Sequence, residues 1–184
     1  MINIMSSIYS ALIFIFSLLI LSCNINYSKP EVNNENNEIP DTVLNNMKYT
    51  VVKNGTVVIE ITSEQTLNYN ETQKTVLTNI IFKEFDENGV VKNSGKADYS
   101  IYEHSTENAK ISGGIELQSE SQGTSLSTDS LYWNKYDRKI ISNSDQKVRI
   151  SRNDGSSVEG SGFSADFSTK TITFESKVSG FLWY

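Results

Sequence analysis

The sequence predicts an all-β domain made of serial antiparallel hairpins, and three observations predict it. Residues 41–184 contain no proline and hold all ten glycines of the chain. Apolar residues there alternate with period two between turn residues, and no stretch sustains the period of about 3.6 that marks a helix. A short motif also recurs, as Ala97-Asp98-Tyr99, Thr128-Asp129-Ser130 and Ala165-Asp166-Phe167, at intervals of 31 and 37 residues. Each copy is followed by an extended run, at 111–117, 140–150 and 172–178. One hairpin cannot bury its apolar face alone, so such copies must stack. About ten antiparallel strands with short turns and no crossover helices make an all-β roll or sandwich.

The elements follow in order. Residues 47–53 and 56–62 flank Asn54-Gly55, a pair suited to a type I′ hairpin turn. Ile59 and Ile61 share one face with Val57; Glu60 and Thr62 take the other. A bend is expected at 63–65, after which 66–69 continues the strand. Residues 75–85 form a longer strand with apolar residues on both faces, so its orientation stays open. Asp86-Glu87-Asn88-Gly89 closes the next hairpin. Residues 90–102 place Ala97, Tyr99 and Ile101 in phase, and 109–117 return with Ile111, Ile115 and Leu117 in phase. Gly113-Gly114 within that strand signals a bulge or a close backbone approach. Residues 126–133 and 140–150 form a further pair, Asn153-Asp154-Gly155 is a tight turn, and 158–167, 171–174 and 178–183 complete the domain. The three copies share no single in/out parity, and a slip of one residue would invert every side chain.

The N-terminal part is different. Residues 1–22 carry no Asp, Glu, Lys or Arg, and 8–21 is an apolar run broken only by Ser10 and Ser17. A membrane span needs about 20 apolar residues and a signal-peptide core about 7–15, so 1–22 reads as a secretory signal. It ends Leu19-Ile20-Leu21-Ser22-Cys23, which resembles a bacterial lipobox. Cys23 is the sole cysteine, so no internal disulfide is possible and the expected modification is lipidation. Two or three acyl chains anchor stably where one is marginal. Residues 23–46 hold eight asparagines and both prolines, a composition expected to form a disordered tether between the lipid and a domain over 47–184. The formal net charge of −6 argues against nucleic acid or anionic lipid as the main partner.

No catalytic constellation is found. His104 is the only histidine and falls in a predicted turn. There is no nucleophile elbow, phosphate loop or calcium loop. Asp98, Asp129 and Asp166 occupy matching repeat positions and are expected to face solvent or support turns. The reading is therefore not an enzyme, with no metal and no cofactor. A two-sheet β domain either packs its inner faces shut or stays splayed around an apolar ligand, and composition leaves both open.

Several short stretches resemble the LptC family in order and spacing. They are 69–89, Lys96-Ala97-Asp98, Ile111-Ser112-Gly113-Gly114-Ile115-Glu116-Leu117, Leu126-Ser127-Thr128-Asp129-Ser130-Leu131, Val148-Arg149-Ile150 and Gly160-Ser161-Gly162-Phe163-Ser164-Ala165-Asp166. The resemblance implies an open β-jellyroll, or β-taco, whose apolar groove shields the acyl chains of lipopolysaccharide or lipooligosaccharide. It implies lipid received from the membrane subunits of an ABC transporter and passed to an LptA-like bridge protein. Ile59, Ile61, Tyr99, Ile101, Ile111, Ile115, Leu117, Leu131, Ile150, Phe163 and Phe174 are the groove candidates it implies. Thr171, Thr173, Val178, Phe181 and Trp183 would form the partner edge, joined by β-augmentation. The family usually carries an uncleaved transmembrane helix where this chain has the lipobox. The expected location is the inner membrane facing the periplasm, or else the outer membrane. The alternative is a surface-exposed structural or adhesive β-sandwich lipoprotein that transfers no lipid.

Overall fold

The computed structural model describes residues 38–176 and 178–182; the leader, Cys23, most of the tether and Trp183 lie outside the described residues. Twelve strands and no helix make up the domain: β1 (Thr42–Lys53), β2 (Thr56–Tyr69), β3 (Lys74–Phe85), β4 (Val91–Glu103), β5 (Asn108–Ser119), β6 (Thr124–Asn134), β7 (Lys139–Ile141), β8 (Lys147–Arg152), β9 (Ser157–Ser161), β10 (Phe163–Asp166), β11 (Thr171–Phe174) and β12 (Ser179–Phe181). Residues 42–45, within the stretch expected as tether, pair with β2.

β1 to β6 form a meander of long antiparallel strands. Asn54 and Gly55 both have positive φ, 52° and 80°, as a type I′ turn requires. A line of irregular backbone crosses all six strands. Direct pairing skips Asn46 and Glu64 between β1 and β2, Glu64 and Asn79 between β2 and β3, and Asn79 and Asp98 between β3 and β4, with the register unchanged on either side. Between β4 and β5 it shifts at Lys96/Tyr99, and between β5 and β6 at Ser112/Ile115. Asn46, Asn79, Gly113 and Gly114 all have φ between 49° and 79°. Only glycine tolerates Gly113: its φ is +79°, and a Cβ there would meet Asp98 Oδ2 at 2.5 Å. Bulges bend strands and sharpen twist. The line is therefore a crease, and it divides the sheet into an entry half, where the chain arrives at Thr42, and a far half. The bulge expected at Gly113-Gly114 lies on it, whereas the bend expected at 63–65 does not interrupt β2, which runs unbroken from Thr56 to Tyr69.

Past β6 the sheet forks. The entry half of β6 pairs with β7, which continues to β10 and β11; the far half pairs with β8, which continues to β9 and β12. The runs 140–150 and 158–167 are thus not single strands. Each breaks, at 142–146 and at Gly162 (φ +66°), because the chain is crossing from one branch to the other. The branches meet again where Phe174 of β11 lies over Gly160 of β9, at a distance that leaves no room for a Cβ, with its ring 5.6 Å from that of Phe163.

The core is one cluster of Ala97, Ile115, Leu131, Val148 and Phe163, with Ile111, Leu117, Leu126, Ile140, Ile150, Ala165 and Phe174 packed around it. The three motif copies are not equivalent. Asp98 and Asp129 both flank the Gly113-Gly114 bulge, exposed. Asp166 instead ends β10 and accepts hydrogen bonds from the backbone N–H groups of Ser168 and Thr169. β10 has four residues and stops before it could reach a crease of its own.

Candidate lipid groove and sheet edges

Directly paired residues share a face of the sheet. In the far half one continuous ladder runs Tyr49, Ile61, Phe82, Gly95, Leu117, Leu126, Ile150, Val158, across eight strands. Leu117, Leu126 and Ile150 on it pack against the core. Gly95 leaves the space that Leu117 fills, since a Cβ on Gly95 would lie 2.6 Å from Leu117 Cδ2.

The opposite face is charged. Ion pairs join Lys48 to Glu60 (2.8 Å), Lys96 to Glu116 (3.0 Å) and Arg149 to Glu159 (2.9 Å). Arg149 and then Lys147 hold the Glu159 carboxyl below its usual range. A sheet wet on one side and greasy on the other reads this way.

The ladder also resolves β3. Ile80 and Phe82 share the face of Ile61, while Ile81 pairs with Lys96 on the charged face and is half exposed. Phe82, Leu126 and Val158 were missing from the sequence-derived groove set. β3 has apolar residues on both faces, so only its register with Ile61 and Gly95 reveals which belong inside.

The groove candidates fall into two groups. Ile115, Leu131 and Phe163 are at most 4% exposed, inside the core cluster. Ile59, Ile61, Tyr99, Ile101, Ile111, Leu117, Ile150 and Phe174 are only half buried. Tyr99 lies beside Tyr69, and burial, then that neighbour, pushes its phenol above the ordinary value. In the entry half Ile111 pairs with Ser100 and Leu131, whereas Tyr99 and Ile101 pair with Thr78 and Val76. The extra residue of the β5 bulge is what puts these two sets on opposite faces there.

Among the described residues three strands leave one side unpaired: β1 beyond β2, β11 beyond β10, and β12 beyond β9. The residues expected to form one partner edge stand on two strands in different branches. Thr171 and Thr173 lie on β11, in the branch that continues from β7. Val178 precedes β12 and Phe181 ends it, both more than half exposed, in the branch that continues from β8. His104 is exposed, with Nε2 2.7 Å from Thr75 Oγ1 and its ring edge-on to Tyr102. Among the described residues no three His, Cys, Asp or Glu side chains gather as a metal site.

A family model described as lipopolysaccharide-assembly, LptC-related, matches residues 10–182. The chain belongs to the LptC family. A search of curated proteins returns no match. The family works in lipopolysaccharide transport, in the periplasm and in association with the inner membrane, and is not a known enzyme family. Its open jellyroll is the architecture seen here, with the half-buried ladder on one face and unpaired strands at its margins.

Proposed function

We propose that this chain takes lipopolysaccharide or lipooligosaccharide by its acyl chains from the membrane subunits of an inner-membrane ABC transporter and passes it to an LptA-like bridge protein. The observation that carries the reading is the half-buried ladder around Ile61, Phe82, Leu117 and Ile150, set in a sheet that does not close on itself. Acyl chains gain by leaving water for such a face. Ile59, Ile111 and Phe174 extend the lining, Ile115, Leu131 and Phe163 form its floor, and Tyr99 and Ile101 stand on the other face of the entry half. Lipidated Cys23 holds the protein to the membrane. Thr171 and Thr173, or Val178, Phe181 and Trp183, offer an edge to the next jellyroll by β-augmentation.

Photo-crosslinking amino acids at Ile61 and Leu117 should yield glycolipid adducts in cells, and the same group at Lys96 on the charged face should not. Equal labelling of both faces, or none at Ile61 and Leu117 in folded protein, would reject the reading. Co-purification of transporter subunits tests the handoff separately, and mass spectrometry of the N-terminal peptide tests the diacylglyceryl group on Cys23.

A further inference from the structure

The two ends of the roll differ in chemistry. Turns at 54–55, 86–90, 120–123 and 153–156 form the far end; they carry Asp86, Glu87, Glu120 and Asp154 and no lysine or arginine. Turns at 70–73, 104–107, 135–138 and 167–170 form the entry end, where β1 also begins. They are joined in a rim: His104 N–H donates to Gln73 O (2.9 Å), Lys135 N–H to Asn108 Oδ1 (2.9 Å), and Phe167 N–H to Arg138 O (3.0 Å).

One corner of that rim stands out. Tyr136 is 94% exposed at the tip of its turn, and Phe167 is half exposed on the adjacent turn, edge-on to Trp133 with centroids 5.9 Å apart. The two turns carry Lys135, Asp137, Arg138 and Lys170, with Lys139 next in the chain. Lys135 pairs with Glu107 and Lys139 with Asp166; Arg138 and Lys170 have no ion-pair partner among the described residues. Arg138 and Lys170 also stand in left-handed backbone, φ 53° and 57°, a conformation that costs a non-glycine residue about 1 kcal/mol. Long cationic side chains are thus kept where glycine would be easier.

We infer that this corner is a bilayer-contacting surface for anionic lipid. Exposed aromatic rings beside lysine and arginine are the chemistry of the membrane–water interface, where the rings seat among headgroups and the cations meet anionic phosphates. Connectivity favours the same surface. Asp41 is hydrogen-bonded into this end through Asn68 O and Asn70 N–H, so the chain leading back to the apolar run departs here. The 19 residues from Cys23 to Thr42 span at most about 65 Å even fully stretched. The acidic far end would be repelled by the same lipids. Seating the entry end on the bilayer would bring one mouth of the jellyroll to the headgroups. The inference shares with the proposed function only the membrane attachment of the N-terminal segment.

The test uses the full chain with an environment-sensitive fluorescent amino acid at Tyr136 or Phe167, and as controls at Gln122 or Asn153. Vesicles of phosphatidylethanolamine and phosphatidylglycerol should shift the Tyr136 and Phe167 probes to the blue and expose them to nitroxide-lipid quenching, and leave the control probes unchanged. Arg138→Gln and Lys170→Gln should each lower the vesicle affinity of the tip about fivefold, and phosphatidylcholine vesicles should reproduce that loss. Tip probes that behave like the far-end probes overturn the inference, as does a shift seen only on adding a partner protein. Mass spectrometry of the N-terminal peptide reads the N-terminal attachment independently: lipidated protein with aqueous tips rejects this surface and spares the proposed function, while tip insertion in protein without a diacylglyceryl group supports this surface and rejects the anchor.

Discussion

The far end and the entry end of this sheet meet the same geometric demand with different residues. Each of the four far-end turns places a glycine in left-handed backbone, at Gly55, Gly89, Gly123 and Gly155, with φ of 58–89°. Each of the four entry-end turns places a side chain there instead, at Gln73, Glu107, Arg138 and Lys170, with φ of 50–57°. Glycine adopts this region without a Cβ penalty. The far end is thus built for tight closure. The entry end gives up about 1 kcal/mol per turn to keep polar and charged groups on its rim. A difference repeated four times at each end teaches that turn shape was common to both and surface chemistry was not.

The largest expected effect is one that should not distinguish the ends. Ile115 is 1% exposed at the crease, and Ile115→Ala should cost about 2–5 kcal/mol in denaturant unfolding, as cavity-forming core truncations do. A loss well under that would mean the two halves hold together without this cluster.

The sharpest test is a swap of opposite sign. Gly89 faces open space, so Gly89→Lys should lose about 1 kcal/mol from backbone strain alone, while Lys170→Gly should gain about 1 kcal/mol. Thermal or urea unfolding of both variants checks it; changes of the same sign would end the comparison.

Smaller again is Phe167→Ser, which loses one half-exposed aromatic contact with Trp133 and should cost about 0.5–1 kcal/mol. Tyr136→Ser should leave unfolding unchanged, since its ring is almost wholly in water. A stability loss at Tyr136 would show that this tip serves folding and not a surface.

The smallest effect is with pH. Hydrogen bonds from the backbone N–H groups of Val90, Ser156 and Thr169 lower the carboxyl pKa of Asp86, Asp154 and Asp166 respectively below 3.8. A depressed folded pKa stabilises above the unfolded value, and that stabilisation is lost as pH falls through the folded one. All three groups should therefore titrate below 3.8 by NMR, and their contribution to stability should fall away as pH drops through that range. Titration at or above 3.8 would mean these turns are open in solution.

Local features were legible wherever one residue type has one physical use. Asn54-Gly55, Asp86 to Gly89 and Asn153 to Gly155 are turns because few other residues enter left-handed backbone. The phase of Ile111, Ile115 and Leu117 showed, since period two is a property of any strand. The breaks at 142–146 and Gly162 were hidden, because apolar residues on both sides of a crossing look like one strand. The non-equivalence of Asp166 was hidden for a similar reason: a repeated triplet records local sequence and not how long its strand becomes. The accessible part of the groove could not be separated from its floor, because burial of Ile115 and Phe163 depends on which strand lies opposite.

By itself the sequence determined an all-β chain, its turn positions, its apolar run at 8–21 and its resemblance to the LptC family, all consequences of short-range periodicity and residue chemistry. Only the tertiary structure decided the fork beyond β6, the face to which Phe82 belongs, and the gathering of Tyr136, Phe167, Arg138 and Lys170 at one corner. The physical reason is register. Which residues stand opposite one another is set by hydrogen bonds between strands far apart in the chain, and a shift of one position would exchange the greasy face for the wet one.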